Sequence, residues 1–218
     1  MPTMRIEGLY GLADPGIRGD VSVPEMCRAL ARGGARVVQI RWKEASSREL
    51  LRATRAAREA LAGTGALLVV NDRPDIALLG GADGVHVGDE DLPVAEVRRL
   101  VGDRLTVGAT VRDLAGARAA AEAGADYVGL GPIFPTTTKA VGVEPRGLEM
   151  LAQVAAASPI PVVAIAGIGL HNIADVAAAG AHAAAVGSAA LRAPDIEART
   201  RELVEAFEAG RARRRESA

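Results

Sequence analysis

The stretch that decides the fold is residues 115–130, AGARAAAEAGADYVGL. Its alanine-rich first part predicts a helix that ends at Gly124, and Gly124-Ala125-Asp126 then turns the chain into a short apolar strand at 127–130. The same small unit returns at Gly33-Gly34-Ala35, Gly81-Ala82-Asp83 and Gly180-Ala181-His182. The chain therefore repeats one pattern, in which a helix is followed by a glycine turn and a buried strand.

Eight such strands are predicted along the chain. They span residues 9–13, 37–41, 67–71, 84–87, 105–109, 127–130, 162–166 and 183–186. Strands that alternate with helices form parallel sheets with right-handed crossovers, and eight units close a barrel. The predicted fold class is α/β, a single (β/α)8 TIM barrel over residues 1–210, with a basic tail at 211–218 that is expected to be disordered. An open doubly wound sheet is the alternative, but residues 11–16 read GLADPG and lack its Gly-x-Gly-x-x-Gly turn.

The composition fits such a barrel and narrows the choice of partners. Hydrophobic residues make up 49% of the 218 residues and aromatic residues only 2%, which suits small branched side chains on strands buried on both faces. The net charge of -1 gives no reason to expect nucleic acid or a membrane surface as a partner. The single cysteine, Cys27, is expected to be a buried apolar residue. Without a bilayer-length apolar run or a signal-peptide pattern, the expected location is the cytoplasm. Small-molecule substrates are the expected partners, and a homo-oligomer is compatible with the sequence.

Two cations lie at the carboxyl end of the second predicted strand, where barrel enzymes carry their chemistry. Because strand side chains alternate between faces, Gln39, Arg41 and Lys43 share one face, opposite Ile40 and Trp42. We expect the polar face to point into the barrel mouth, where two cations favour a polyanion such as diphosphate. An ordinary ion pair with a neighbouring carboxylate is the alternative.

Two acids follow the third and fourth predicted strands, Asp72 and Asp91. Each could cap the following helix, with Pro74 in the first turn after Asp72. Because these strand ends are adjacent, the two carboxylates could instead share one Mg²⁺ ion, which typically takes one or two carboxylates, waters and substrate phosphates. His86, in the fourth strand, is expected to be a hydrogen-bonded structural residue. No nucleophile constellation such as Ser/His/Asp is recognisable.

The later loops carry features of phosphate sites. A long loop at 131–146 offers hydroxyl and ammonium donors at Thr136, Thr137, Thr138 and Lys139. Glycines follow the seventh and eighth strands at Gly167 and Gly187, where many barrels bind phosphate through backbone N–H groups. The sequence therefore predicts two anion sites at one mouth, one cationic and one built from backbone amides.

Together these motifs resemble the thiamine-phosphate synthase family over nearly the whole chain. In family order they are QIRWK at 39–43, NDR at 71–73, GVHVGDEDLP at 84–93, DYVGLGPIFPTTTK at 126–139 and Gly167-Ile168. The fourth motif is highly specific. The resemblance implies a transferase that joins 4-amino-2-methyl-5-pyrimidinylmethyl diphosphate to 4-methyl-5-(2-phosphoethyl)thiazole or its carboxylated form. The products are thiamine phosphate and diphosphate, formed through a pyrimidinylmethyl cation.

The resemblance also implies roles for individual residues. It assigns Mg²⁺ to Asp72 and Asp91. It assigns the pyrimidine diphosphate to Gln39, Arg41, Lys43, Asn71, Thr110 and Lys139, and the thiazole phosphate to Thr136, Thr138, Gly167, Gly187 and Ser188. The expected substrate-binding set is completed by Ile40, Trp42 and Thr137. The expected catalytic residues are Arg41, Lys43, Thr110 and Lys139.

The chain departs from the family pattern at three positions without losing an expected catalytic group. Thr110 stands where the family usually has serine, so the hydroxyl is kept with one extra methyl group. Ala166-Gly167 replaces a more usual glycine pair. Trp42 replaces a usual acidic residue, but strand alternation points it away from the mouth.

Three other functions fit parts of the pattern. A thiazole tautomerase relative of the family would not need the diphosphate-binding residues. A non-catalytic sensor of a phosphate ligand would need an output domain, and the barrel accounts for nearly the whole chain. An isomerase or aldolase barrel would need a general base or a Schiff-base lysine, for which Lys43 and Lys139 are the candidates.

Overall fold

The computed structural model describes residues 6–136 and 144–216, and its eight strands close into a parallel barrel. The strands are β1 Gly8–Ala13, β2 Val37–Ile40, β3 Leu67–Asn71, β4 Gly84–Val87, β5 Thr106–Val111, β6 Tyr127–Leu130, β7 Val162–Ala164 and β8 Ala183–Val186. Each strand pairs with the next along the chain, and β1 pairs with β8. The predicted (β/α)8 barrel is confirmed and the open doubly wound sheet is wrong.

Helices follow the strands and cover the outside of the barrel. They are α1 Val23–Arg32, α2 Ser47–Ala60, α3 Pro74–Gly80, α4 Val94–Val101, α5 Leu114–Glu122, α6 Gly147–Ala157, α7 Ile173–Ala178, α8 Ser188–Leu191 and α9 Ile196–Glu216. A single 3-10 turn at Gly102–Arg104 precedes β5. In the parts of the chain that the structure describes, no helix is long and apolar enough to cross a membrane.

Strand alternation divides the apolar residues into two cores. One set packs between the strands and the helices and includes Ile40 and Leu68, both fully buried. The other fills the barrel interior and includes Tyr10, Val69 and Tyr127. The outer core also holds the predicted buried cysteine, where burial raises the pKa of the Cys27 thiol to about 12 and keeps it protonated.

A glycine makes room for the largest interior side chain. Gly108, on β5, lies beside the ring of Tyr127 on the neighbouring strand, and a Cβ atom at position 108 would overlap that ring. Tyr127 is fully buried as a result. The barrel interior therefore has room for the Tyr127 phenol because the neighbouring strand β5 has no side chain at position 108.

The basic C-terminal segment is helical as far as Glu216, which corrects the predicted disordered tail. Arg211 and Arg213 pair with Glu7 and Asp175 on the body of the barrel, the second pair across 3.1 Å. A dense run of basic residues predicts a solvated tail. The helix continues through it because the preceding turns are buried and the barrel supplies the acidic partners. The last two residues of the chain lie outside the described ranges.

A histidine at the N-terminal end of β8 makes the stability of the barrel depend on pH. The Val162 N–H donates to His182 Nδ1 across 3.2 Å, which requires a neutral ring. Partial desolvation lowers the pKa of His182, the Arg214 and Arg211 charges lower it further, and Glu7 opposes them.

We expect the free energy of unfolding to fall as the pH drops from about 6.5 towards the lowered folded-state pKa of His182. In that window the unfolded chain binds more protons than the folded one. The effect is modest because the residue is exposed. Urea denaturation between pH 8 and pH 5 should show a weaker pH dependence for His182→Gln than for the parent chain. Equal slopes for the two proteins would contradict this assignment.

Candidate active site

One cavity of about 680 Å³ opens where the carboxyl ends of the strands meet. Its volume lies within the range of small-molecule sites, and its position is the one at which barrel enzymes bind substrate. The predicted site residues that line it are Gln39, Arg41, Lys43, Asn71, Asp72, Asp91, Thr110, Thr136, Gly167, Gly187 and Ser188. The fold therefore brings residues that lie in or after seven different strands to one space.

Five further residues belong to the predicted site. Thr137, Thr138 and Lys139 lie outside the described residues. Ile40 is fully buried in the outer core, and Trp42 packs against that core. Alternation turns both side chains towards the helices, as the sequence predicts for Trp42, so neither is a substrate contact through its side chain. The structure corrects the substrate-binding set at these two positions.

Arg41 is held by a buried acid that the sequence analysis missed. Asp14, just beyond β1, is 4% exposed and accepts a hydrogen bond from Arg41 Nη1 across 2.5 Å. Its second carboxylate oxygen accepts from the Gly16 N–H across 2.9 Å. The ion pair considered as an alternative is therefore present. It positions the guanidinium at the mouth, where most of its N–H donors are available to a ligand.

Lys43 lies beside the pair of acids predicted to bind metal. Its Nζ is 3.1 Å from Asp72 Oδ2. Burial raises the pKa of Asp72, the neighbouring Asp91 carboxyl raises it further, and Lys43 opposes both effects. Asp91 Oδ2 also accepts a hydrogen bond from the Gly88 N–H across 2.8 Å, which holds the carboxylate beside the carboxyl end of β4.

The helix-capping interpretation of these two acids is wrong. The N-cap positions of α3 and α4 are Arg73 and Pro93, and neither makes a side-chain cap bond. Asp72 instead adopts a left-handed backbone conformation with φ 63° at the end of β3, which aspartate tolerates better than most residues. Both carboxylates line the cavity.

The chemistry of this donor set fits a divalent cation of the Mg²⁺ type. The Asp91 carboxylate raises the pKa of Asp72, and a cation shared by the two side chains would remove the repulsion between them. Residues 6–136 and 144–216 contain no cluster of three or more His, Cys, Asp or Glu side chains that could hold a metal. Protein would therefore supply Asp72 and Asp91, and water and phosphate oxygens would supply the rest.

A chain of hydrogen bonds crosses the barrel interior below the mouth. Gln39 Nε2 donates to the Tyr10 hydroxyl across 2.8 Å, and the Tyr10 and Tyr127 hydroxyls lie 2.9 Å apart. The Tyr127 hydroxyl lies 3.1 Å from His86 Nδ1, and His86 Nε2 lies 3.0 Å from Thr110 Oγ1. We call this set the interior chain. The prediction that His86 is hydrogen-bonded is confirmed, and the structure adds that it also lines the cavity.

Three cations that were not predicted from sequence also line the cavity: Arg112, Arg192 and Arg199. Arg112 follows β5 on the same face as Thr110 and lines the cavity. Its Nη1 donates to the Gly131 carbonyl across 2.7 Å, and its Nη2 donates to Asp89 Oδ2 across 2.6 Å. Strand alternation, continued two residues beyond Thr110, predicts that Arg112 faces the mouth.

The segment after β7 forms the opposite wall of the cavity. Ala166 and Gly167 both have left-handed backbones, with φ of 72° and 70°. The Asn172 side chain holds the segment, since its Nδ2 donates to the Gly167 carbonyl and its Oδ1 accepts from the Gly169 N–H, both across 2.9 Å. A Cβ atom at position 167 would lie 2.6 Å from the Pro135 carbonyl oxygen, so only glycine fits there.

We expect exchange of alanine and glycine to change the free energy of unfolding in opposite directions at positions 166 and 167. Ala166→Gly should raise the free energy of unfolding by about 0.5–1 kcal/mol, because relief of left-handed strain outweighs the entropy that glycine adds to the unfolded chain. Gly167→Ala should lower it by at least about 2 kcal/mol through strain and overlap. Urea denaturation of the two variants checks both signs. A loss of stability in Ala166→Gly would mean that residue 166 is not strained.

The family model described as thiamine monophosphate synthase matches residues 9–190. The chain belongs to the thiamine-phosphate synthase family. A thiamine-phosphate synthase from Myxococcus xanthus is 56% identical over 204 residues, with 94% of each chain covered. One from Anaeromyxobacter dehalogenans is 54% identical over 213 residues, covering 96% of this chain and 92% of the relative.

Solved structures agree with the family assignment. The thiamine phosphate pyrophosphorylase from Pyrococcus furiosus superposes with a TM-score of 0.86 at 35% identity, over 95% of this chain and 98% of that one. Mycobacterium tuberculosis tryptophan synthase superposes with a TM-score of 0.70 over 92% of each chain, at only 18% identity. This second likeness shows the barrel fold alone. Sequence similarity across nearly the whole chain therefore distinguishes this family from other barrels that share the fold.

Proposed function

We propose that this chain is a thiamine-phosphate synthase. It transfers the pyrimidinylmethyl group of 4-amino-2-methyl-5-pyrimidinylmethyl diphosphate to the nitrogen of a thiazole phosphate, giving thiamine phosphate and diphosphate. The cytoplasm is the proposed compartment, since both substrates are phosphorylated small molecules. The observation that carries the proposal is the grouping of Arg41, Lys43, Asp72 and Asp91 at one side of a single cavity. These side chains can bind a diphosphate leaving group and a metal ion. A thiazole tautomerase does not release diphosphate and would not need them.

Departure of the diphosphate is the step that the cationic side supports. When the C–O bond breaks, its electron pair leaves with the diphosphate, and the electron-rich aminopyrimidine stabilises the cation left on the methylene carbon. Arg41, fixed by Asp14, and Lys43, beside Asp72, are placed to stabilise the negative charge that develops on the leaving group. A Mg²⁺ ion held by Asp72 and Asp91 would add Lewis-acid stabilisation of the same oxygens.

Capture of the cation is assigned to the opposite side of the same cavity. Thr136, Gly167, Gly187 and Ser188 line that side, where backbone and hydroxyl groups suit the phosphate of the thiazole substrate. The lone pair of the thiazole nitrogen then forms the new C–N bond. Both substrates share one cavity, so the enzyme accelerates the reaction by holding the two reacting atoms close together.

The reaction needs no protein nucleophile or general base, since no proton is removed in forming the C–N bond. What the site must do instead is keep water from the cation. Val163, Ile165 and Ile168 give the cavity apolar wall on the β7 side, which favours capture by the thiazole over capture by water.

Incubation of the purified chain with both substrates tests the proposal. Chromatography should show thiamine phosphate and diphosphate in equal amounts with Mg²⁺, and neither product with EDTA. Product that forms equally well with EDTA would contradict the metal assignment alone. Absence of product from protein shown to be folded by circular dichroism would contradict the proposed function.

The competing functions have their own readouts in the same experiment. Interconversion of thiazole tautomers without transfer would identify a tautomerase. Irreversible labelling by a carbonyl substrate and borohydride at Lys43 or Lys139 would identify a Schiff-base enzyme. Tight binding of a substrate with no turnover would identify a sensor.

A further inference from the structure

The interior chain joins five side chains from five different strands at the floor of the cavity, which all five line. Its members, in order, are Gln39, Tyr10, Tyr127, His86 and Thr110. Only the first and last were expected to touch substrate, and the three between them have no part in the mechanism above. Tyr10 is 2% exposed, Tyr127 is fully buried and His86 is 8% exposed. Groups this deeply buried must satisfy their hydrogen bonds with one another.

The direction of the chain follows from the amide at its first end. An amide nitrogen donates and does not accept, so the Tyr10 oxygen accepts from Gln39 Nε2. Burial raises the pKa of both tyrosines, which therefore keep their protons. Were Tyr127 to donate to Tyr10, the Tyr10 proton would have no further acceptor among the protein groups that the structure describes, which is costly for a residue that is 2% exposed. Tyr10 therefore donates to Tyr127.

The direction of the second half of the chain follows from the Tyr127 hydroxyl. The Tyr127 proton is directed to His86 Nδ1, which must be the unprotonated nitrogen of a neutral ring. His86 then carries its proton on Nε2 and donates it to Thr110 Oγ1. Because Thr110 Oγ1 accepts from the ring, its own proton points elsewhere, and Thr110 lines the cavity.

We propose that the interior chain has one direction, which fixes His86 as the Nε2–H tautomer and turns the Thr110 proton towards the pyrimidine substrate. Tyr10, Tyr127 and His86 are then positioning residues for substrate recognition. The ligand end of the chain presents a hydroxyl donor, which suits the acceptor nitrogens of an aminopyrimidine. The assignment of that ligand rests on the proposed function, whereas the direction of the chain does not.

The direction is tested by ¹⁵N NMR of the protein labelled at histidine, since the two ring nitrogens of a neutral histidine have different shifts in the two tautomers. His86→Gln identifies the His86 signals among the three histidines. The expected result for the parent chain without substrate is a proton on Nε2. A proton on Nδ1 would overturn the proposal, because the chain would then run in the opposite direction.

Gln39→Glu reverses the hydrogen bond between residue 39 and Tyr10. A carboxylate accepts and does not donate, so the Tyr10 hydroxyl would donate to the new carboxylate. Between pH 6 and pH 9 we expect the His86 proton to move to Nδ1, with Thr110 then donating to Nε2. The double variant Gln39→Glu/Tyr127→Phe breaks the link and should keep the tautomer of Tyr127→Phe alone. A folded Gln39→Glu protein whose His86 tautomer does not change at any pH in this range would overturn the proposal.

Kinetics separate positioning from a structural role. Tyr127→Phe removes one hydroxyl and keeps the ring, and should lower kcat/KM for the pyrimidine diphosphate about tenfold while KM for the thiazole phosphate stays within twofold. Equal losses for both substrates would indicate only a structural role. If the parent chain made no thiamine phosphate but His86 kept the Nε2 proton, the proposed function would fail and the direction of the chain would stand.

Discussion

Arg41→Ala is expected to lower kcat/KM for the pyrimidine diphosphate by about 10²–10³-fold. The change removes a cation that is positioned by Asp14 and acts on the diphosphate as it leaves. The affinity for the thiazole phosphate should change by less than threefold, because that substrate is assigned to the opposite side of the cavity. Steady-state kinetics with each substrate varied in turn measures both effects.

The matched control is Arg36→Ala. Arg36 pairs with Glu7 across 2.6 Å just before β2 begins, at the other end of the barrel from Arg41. Arg36→Ala removes the same charge from the opposite end of β2, away from the cavity, so the kcat/KM of this variant should match that of the parent chain. Arg41→Ala also leaves Asp14 buried without its partner, so its stability must be measured as well. A well-folded Arg41→Ala variant with nearly normal kinetics would exclude Arg41 from the leaving-group site.

Asp91→Asn is expected to raise the Mg²⁺ concentration for half-maximal turnover at least tenfold, and by up to about 100-fold. Asparagine keeps the size of the side chain and an oxygen that can still accept from the Gly88 N–H, but it loses the negative charge that attracts the ion. Turnover as a function of Mg²⁺ concentration measures the shift, and calorimetric titration with Mg²⁺ and diphosphate measures binding without turnover.

Glu90→Gln is the matched control for that change. Glu90 is the adjacent acid, is exposed and does not line the cavity, so its loss should leave the Mg²⁺ dependence unchanged. Asp72→Asn should shift the Mg²⁺ dependence in the same direction as Asp91→Asn. If both aspartate variants kept the Mg²⁺ dependence of the parent chain, the metal would bind elsewhere or take no part.

Most of the fold was predictable from sequence because the signals were local. A helix, a glycine turn and a short apolar strand recur with enough regularity to count eight units, and all eight strands form near their predicted positions. The errors fell where distant contacts decide the outcome. The arginine-rich end of α9 is helical because Glu7 and Asp175 on the barrel pair with it, and neither acid is close to it in sequence.

In the candidate site too, local features were predictable from sequence and contacts between distant residues were not. Strand alternation by itself determined that Gln39, Arg41 and Lys43 face the mouth, because successive side chains of a strand must point to opposite faces. Only the tertiary structure decided that Asp14 holds Arg41 and that two phenols and His86 link Gln39 to Thr110. Those partners lie on different strands, and their contacts exist only once the barrel closes. Strand periodicity predicts which side chains of one strand face the site, and closure of the barrel determines which side chains of different strands touch.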